Sequence, residues 1–348
     1  MTEAISALSW DTALPFAFMA VMGVSLLVYV VLDGYDLGVG MLLPFATDDE
    51  KDLMVASIGP FWDANETWLV LGIGVLLVAF PSAHGIVLSA LYLPVMVMLV
   101  GLVLRGVAFD FRMKARASHK AGWNRAFAAG SALAAVSQGY MLGAYVTGFT
   151  GGVWATLFAA GIALTLPAAY AMLGAGWLIM KTGDALQLKA VGWARRVLWP
   201  MGAALVGISL ASPAVSPGIF AKWFALPQLF ALLPIPLACA AAFWAALHVV
   251  RKPKVVAAGY GWVVFGSTVL IFVLAFLGLA YSIYPYIVID RLTMWQAASA
   301  TSSLKFLFFG VALALPAIAA YTVFMYRVFW GRAVTLGYGM DAVPRGRP

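Results

Sequence analysis

The stretch GPFWDANETWLVLGIGVLLVAFP, residues 59–81, decides how the chain is read. Its uncharged run from Trp68 to Phe80 has 13 residues. At about 1.5 Å per residue this is roughly 20 Å of helix, against a hydrocarbon core about 30 Å thick. A helix crossing a bilayer here must take in Asp63 and Glu66 or run past Pro81, and Pro81, Ser82 and His84 favour the first. Asp63, Glu66 and Thr67 stand at i, i+3 and i+4, which puts two carboxyls and a hydroxyl on one helix face and turns Asn65 elsewhere. Ionisable groups inside a bilayer are costly unless they face protein or water, and they mark function. A proton relay needs such a ladder. The plainer alternative leaves both carboxylates at the interface, where they complement the positive end of a helix.

The rest of the chain agrees with a membrane setting. Of 348 residues, 64% are hydrophobic and 10% charged, too few polar side chains to cover a soluble globule of this size. Apolar stretches of about the length a span requires recur at 14–32, 61–81, 86–104, 127–146, 154–179, 198–213, 226–249, 255–284 and 306–328. These predict an all-α integral membrane protein of about nine transmembrane helices, with 1–348 forming a single polytopic domain. Of the 21 Lys and Arg, 18 fall in the first, third, fifth and seventh connections and the C-terminus, and only Lys222, Arg291 and Lys305 fall on the other side. Because cytoplasmic loops collect Lys and Arg, the N-terminus is expected outside and the C-terminus in the cytoplasm. The net charge of +7 is then topological, and its scatter over short loops speaks against a nucleic-acid partner. The first segment lacks a basic start and a small-residue cleavage site, so it is read as a retained span.

Other chemistry-bearing residues are sparse. Asp33 and Asp36 in LDGYDLGVG, and Asp110 in RGVAFDFR, share the membrane side of Asp63 and Glu66 and could join them in one group. Arg105 and Arg112 flank Asp110, so an interfacial ion pair competes with a proton-entry role for it. Gly34 and Gly38 form a small-xxx-small pair that admits a close helix neighbour, and packing is the favoured reading of that segment. The run Asp48, Asp49, Glu50, Asp52 reads as a solvated loop. His84 falls in an outside turn, while His119 and His248 fall on or near the cytoplasmic side. A buried haem needs two axial ligands facing each other at one depth, so no haem or metal is expected on this chain alone. Cys239, the single cysteine, excludes an intrachain disulfide and a cysteine-ligated cluster.

The same residues carry a resemblance. LDGYDLGVGMLLPF (32–45), GPFWDANETWLV (59–70), RGVAFDFR (105–112), SQGYMLGAY (137–145), YPYIV (284–288), SSLKF (302–306) and LPAIAAY (315–321) follow the order and spacing of subunit II of the cytochrome bd-type quinol oxidases. The compact length resembles the cyanide-insensitive branch. The resemblance implies two four-helix bundles plus one peripheral helix, paired with a haem-bearing subunit I in a heterodimer of the bacterial inner membrane. It implies that subunit I holds the b-type haems, a haem b or d at the oxygen site and the main quinol site, with a small single-span accessory subunit as a further partner. It also implies a terminal quinol:O2 oxidoreductase that draws the protons for water formation from the cytoplasm. In the family the Trp-Asp pair matching Trp62 and Asp63, and the aspartate matching Asp110, are associated with that proton route; Glu66 joins them by spacing. Asp33, Asp36, Gly34, Gly38, Asn65, Thr67 and Arg105 are expected in supporting roles. The chain departs from the family at Ile289, Asp290 and Arg291, where a proline-rich uncharged stretch is common. Two other readings compete: a purely structural membrane subunit, and a proton-coupled carrier working alone, which also uses buried carboxylates.

Overall fold

The computed structural model describes residues 9–215 and 217–333. In chain order its helices are α1 (Trp10–Leu42), α2 (Asp48–Ile58), α3 (Trp62–Ala79), α4 (Pro81–Lys114), α5 (Ala117–Val146), α6 (Val153–Lys181), α7 (Asp184–Val215), α8 (Pro217–Phe224), α9 (Gln228–Leu232), α10 (Pro234–Arg251), α11 (Trp262–Ile283), α12 (Met294–Ala297) and α13 (Thr301–Val328). One antiparallel hairpin, β1 (Tyr286–Val288) with β2 (Leu292–Thr293), follows α11. Among the described residues eight helical segments are long and apolar enough to cross a membrane: α1, α3, α4, α6, α7, α9 with α10, α11 and α13. The remaining long helix, α5, has 30 residues. It is the more polar one because Ser131 and Gln138 face protein, Gln138 bridging Tyr29 of α1 and Tyr170 of α6.

The long helices pack as two groups of four, α1, α3, α4, α5 and α6, α7, α10, α11, with α13 leaning on α1 and α3. This is the expected pair of bundles with a peripheral helix. Between helices in lipid there is little hydrophobic drive, so close packing of small residues does the work. The groups meet where α6 packs against α5 and crosses α1; at that crossing a Cβ on Gly38 would run into the carbonyl oxygen of Tyr170, and one on Gly174 into the backbone of Gly38. Gly34 likewise lies against the Tyr170 ring. Just beyond this seam Tyr35 stacks on Trp177 with ring centroids 4.2 Å apart, a pair of the kind that adds about 0.5–1.5 kcal/mol beyond its buried area.

Several local expectations change. Helix α1 continues ten residues past position 32, so Asp33 and Asp36 lie inside a helix. Helix α3 starts at Trp62 and includes Asp63 and Glu66, as the short apolar run required. His84 sits in the first turn of α4, which Pro81 opens at a position where its missing N–H costs nothing. The acidic run 48–52 is the start of helix α2, closed by a capping box between Thr47 and Glu50. The stretch 226–249 is broken at Leu233, and 255–284 is kinked at Gly259, whose φ of 93° lies in the left-handed region. Two C-terminal cations counted on the basic side, Arg345 and Arg347, lie outside the described residues, as does the start of the first segment.

Candidate functional site

The site centres on Arg105, projected from α4 into the first bundle and 1% exposed. Its Nη1 donates to Oδ1 of Asp33 on α1 at 2.6 Å, and its Nη2 donates to Oε1 of Glu66 on α3. Asp33 is fully buried, and the Glu66 side chain is 29% exposed. Such a triad is sustained only by close geometry, since the desolvation of each ion rivals the attraction between them. Trp62 lies beside it, its ring 5.9 Å from the guanidinium carbon. The group formed by Asp33, Glu66 and Arg105 thus ties α1, α3 and α4 together.

A second network adjoins it. Asn65 is fully buried, and its Nδ2 lies within bonding distance of Asp36 Oδ2 at 2.8 Å, the Tyr35 hydroxyl at 2.9 Å and the Leu32 carbonyl at 3.4 Å. The Tyr326 hydroxyl of α13 donates to Asn65 Oδ1 at 3.3 Å and stands 2.6 Å from the Tyr35 hydroxyl. Asp36 is as buried as Asp33 and touches no cation within the described residues. Two carboxyls therefore bond the one guanidinium, and a third stands nearby with Asn65 as its partner. Asn65 does turn away from Asp63, and the side it turns to is the buried one, which makes it the most connected side chain of the WDANETW segment.

Asp63 and Asp110 lie differently. Asp63 stands exposed in the first turn of α3, and no side-chain cap bond closes that turn. Glu66 is not a cap, since its carboxylate reaches the buried Arg105. Asp110 is exposed on α4 and forms no ion pair among the described residues. Arg105 is taken by Asp33 and Glu66, and Arg112 by Asp52 at 2.7 Å and Asn124 at 2.5 Å, so the expected pairing of Asp110 with either arginine is not formed. Trp62 packs on Phe109 with centroids 5.0 Å apart and beside Gly106, so Asp63 and Asp110 each follow in sequence one ring of an aromatic contact between α3 and α4. Thr67 is exposed and its hydroxyl turns back to the Asp63 carbonyl at 3.4 Å, away from the carboxylates.

Outside the spans, α2 closes the end of the first bundle through charge. Lys189 of α7 bonds Glu50 at 2.6 Å, and Arg112 and Lys120 bond Asp52. The Lys189 ammonium holds the Glu50 carboxyl below its usual range, and Lys51 does the same for Asp48. These partners escaped the reading of 48–52 as a loop, although Thr47 and Glu50 at i and i+3 carried the signal.

The residues present do not fit a haem. Among the described residues no histidine is buried: His84 is half-buried on α4, while His119 and His248 are exposed on α5 and α10. No opposed pair of buried imidazoles is offered as axial ligands.

Long apolar helices in two bundles, with a carboxylate and guanidinium cluster buried in one of them, define a polytopic membrane protein with charge buried between its helices. The family model of cytochrome bd terminal oxidase subunit II matches residues 14–329, and the chain belongs to that family of multi-pass bacterial membrane proteins. It is 43% identical over 101 residues to the cytochrome bd ubiquinol oxidase subunit 2 of Bacillus subtilis, a stretch covering 28% of this chain and 29% of that one. To the cytochrome bd-I ubiquinol oxidase subunit 2 of Escherichia coli K12 it is 39% identical over 103 residues, 29% and 27% of the two chains. Both alignments thus span less than a third of the relatives. A chain of the bd oxidase from Geobacillus thermodenitrificans shares the fold, with a TM-score of 0.75 at 16% identity over 91% of this chain and 99% of that chain.

Proposed function

We propose that this chain is the haem-free second subunit of a terminal quinol:O2 oxidoreductase, crossing the membrane nine times as one domain with its N-terminus outside and its C-terminus in the cytoplasm. It scaffolds a haem-bearing subunit I, which holds the b-type haems, the haem b or d of the oxygen site and the quinol site. It also supplies a cytoplasmic path for the protons consumed when O2 becomes water. The observation that carries this reading is the placement of Asp63 and Asp110: exposed, without an ion-pair partner among the described residues, and each next in sequence to one ring of the Trp62–Phe109 contact. The same helices expose Val70, Ile73, Leu77, Val100, Val103 and Val107, a surface fit for a partner subunit. Capped by that partner, the two aspartates become a path along the interface.

Protons enter at Asp110, pass Asp63 and reach Glu66, whose carboxylate is the one member of the buried triad still open to the surface. Three carboxyls to one guanidinium give the cluster the capacity to hold an exchangeable proton, while Arg105 and Trp62 fix the orientation of Glu66. Asn65 and Asp36 hold α1 against α3, and Gly34 and Gly38 hold α1 against α6.

The test is Asp63→Asn in the assembled complex. Oxygen consumption and proton-gradient formation should fall together by about 10²-fold, the low end of what a positioned proton-transfer group contributes. Asp63→Glu should restore most of the activity. Full turnover in Asp63→Asn would leave the chain a structural subunit. Transport by the chain purified without a haem subunit would make it a carrier.

A further inference from the structure

A shallow groove of about 310 Å³ opens between α1 and α13, lined by Leu32, Thr322, Val323, Tyr326, Arg327 and Trp330. Its polar side chains are mostly engaged elsewhere. The Tyr326 hydroxyl turns inward to Tyr35 and Asn65, and the Thr322 hydroxyl bonds the Ile318 carbonyl at 2.9 Å. Arg327 differs: it is exposed at the rim in the last turn of α13 and has no carboxylate partner among the described residues. Beside it Trp330 is 75% exposed. The apolar window of α13 is not buried by the rest of the chain, so the groove faces out of the protein.

We propose that this groove seats one anionic phospholipid, an acyl chain lying along Leu32, Val323 and Tyr326 and the phosphate resting on Arg327. Each part matches a known preference. A cation at a helix end binds anionic headgroups at the cytoplasmic leaflet, and tryptophan settles at headgroup depth. A neutral zwitterionic lipid would fill the same apolar wall but leave the charge of Arg327 without a net counter-charge. A second transmembrane helix laid in the groove would set Arg327 against apolar side chains, which is costly. The assignment rests on the topology proposed above, with the C-terminus in the cytoplasm, and stands apart from the proton path.

Native mass spectrometry of the purified two-subunit complex tests it. After partial delipidation the complex should retain phosphatidylglycerol in preference to phosphatidylcholine. Arg327→Gln should lower that retention about fivefold, the weight of one cation at an anionic surface, and Arg327→Lys should keep most of it. Retention unchanged in Arg327→Gln would overturn the proposal. Should Arg327→Gln fail to assemble, the competition on the unaltered complex decides, with equal retention of the two lipids overturning it. A photo-crosslinker at position 323 should capture phospholipid; capture of a quinone or of a single-span polypeptide instead would also overturn it.

Discussion

The two four-helix groups solve one packing problem in different ways. In the group of α1, α3, α4 and α5, helices are joined by charge: Arg105 reaches two other helices, and Asn65 reaches Asp36 and Tyr35. In the group of α6, α7, α10 and α11, the buried contacts on α10 are Cys239, Ala242, Ala246, Leu247, Val249 and Val250. On α11 the Thr268 hydroxyl closes on its own helix at the Val264 carbonyl, 2.8 Å away, while Ser282 bonds the Gly278 carbonyl at 2.7 Å and accepts from the Trp223 indole of α8 at 2.7 Å. The buried cation of that group, Lys181, meets carbonyls, donating to residues 329, 330 and 331 at the end of α13. One bundle is therefore specified by pairings that a single substitution can undo, the other by shape, which tolerates change. The proposed proton path falls in the first, where Asp33, Asp36 and Glu66 stand near a single buried guanidinium.

Arg105→Leu tests that contrast most severely. It leaves Asp33 and Glu66 buried without a cation and should cost about 3–5 kcal/mol, seen as a lower melting temperature of the complex or as failure to assemble. Thr268→Val in the other bundle removes a hydroxyl whose partner is its own helix and should cost about 0.6 kcal/mol in the same melt. Equal losses from the two substitutions would erase the distinction between the bundles. A comparably small effect belongs to Lys189→Gln at the surface, about 0.2–1 kcal/mol. Its pH dependence has a definite sign. Glu50 has a lowered folded-state value, so its stabilisation is complete above the usual glutamate range of about 4.3 and fades as pH falls through the lower folded value. Lys189→Gln should flatten that acid limb, leaving stability near pH 7 slightly reduced.

What could be read from the chain, and what could not, follows the range of the contacts. Helical class, the two bundles with a peripheral helix, and the start of α3 before Asp63 came from length, hydropathy, local spacing and family likeness. Asp33 and Asp36 were read as packing because the guanidinium that meets Asp33 is 72 residues away. Tyr326, 291 residues from Tyr35, carries no local sign of its role. The central place of Asn65 carries no local sign, because helical spacing tells which residues share a face, not which face is buried. The pairing of Asp110 with arginine looked natural from proximity in sequence, yet Arg105 and Arg112 point into the protein while Asp110 points out. Charge patterning along a helix cannot show that division.

The crossing of α1 and α6 has a consequence for how this architecture persists. At Gly38 and Gly174 main chain lies against main chain, so the gap between the two bundles is set by atoms that every residue has in common. Side chains elsewhere can be exchanged, layer by layer, without altering that spacing. In this chain a side chain at either position would force the two helices apart.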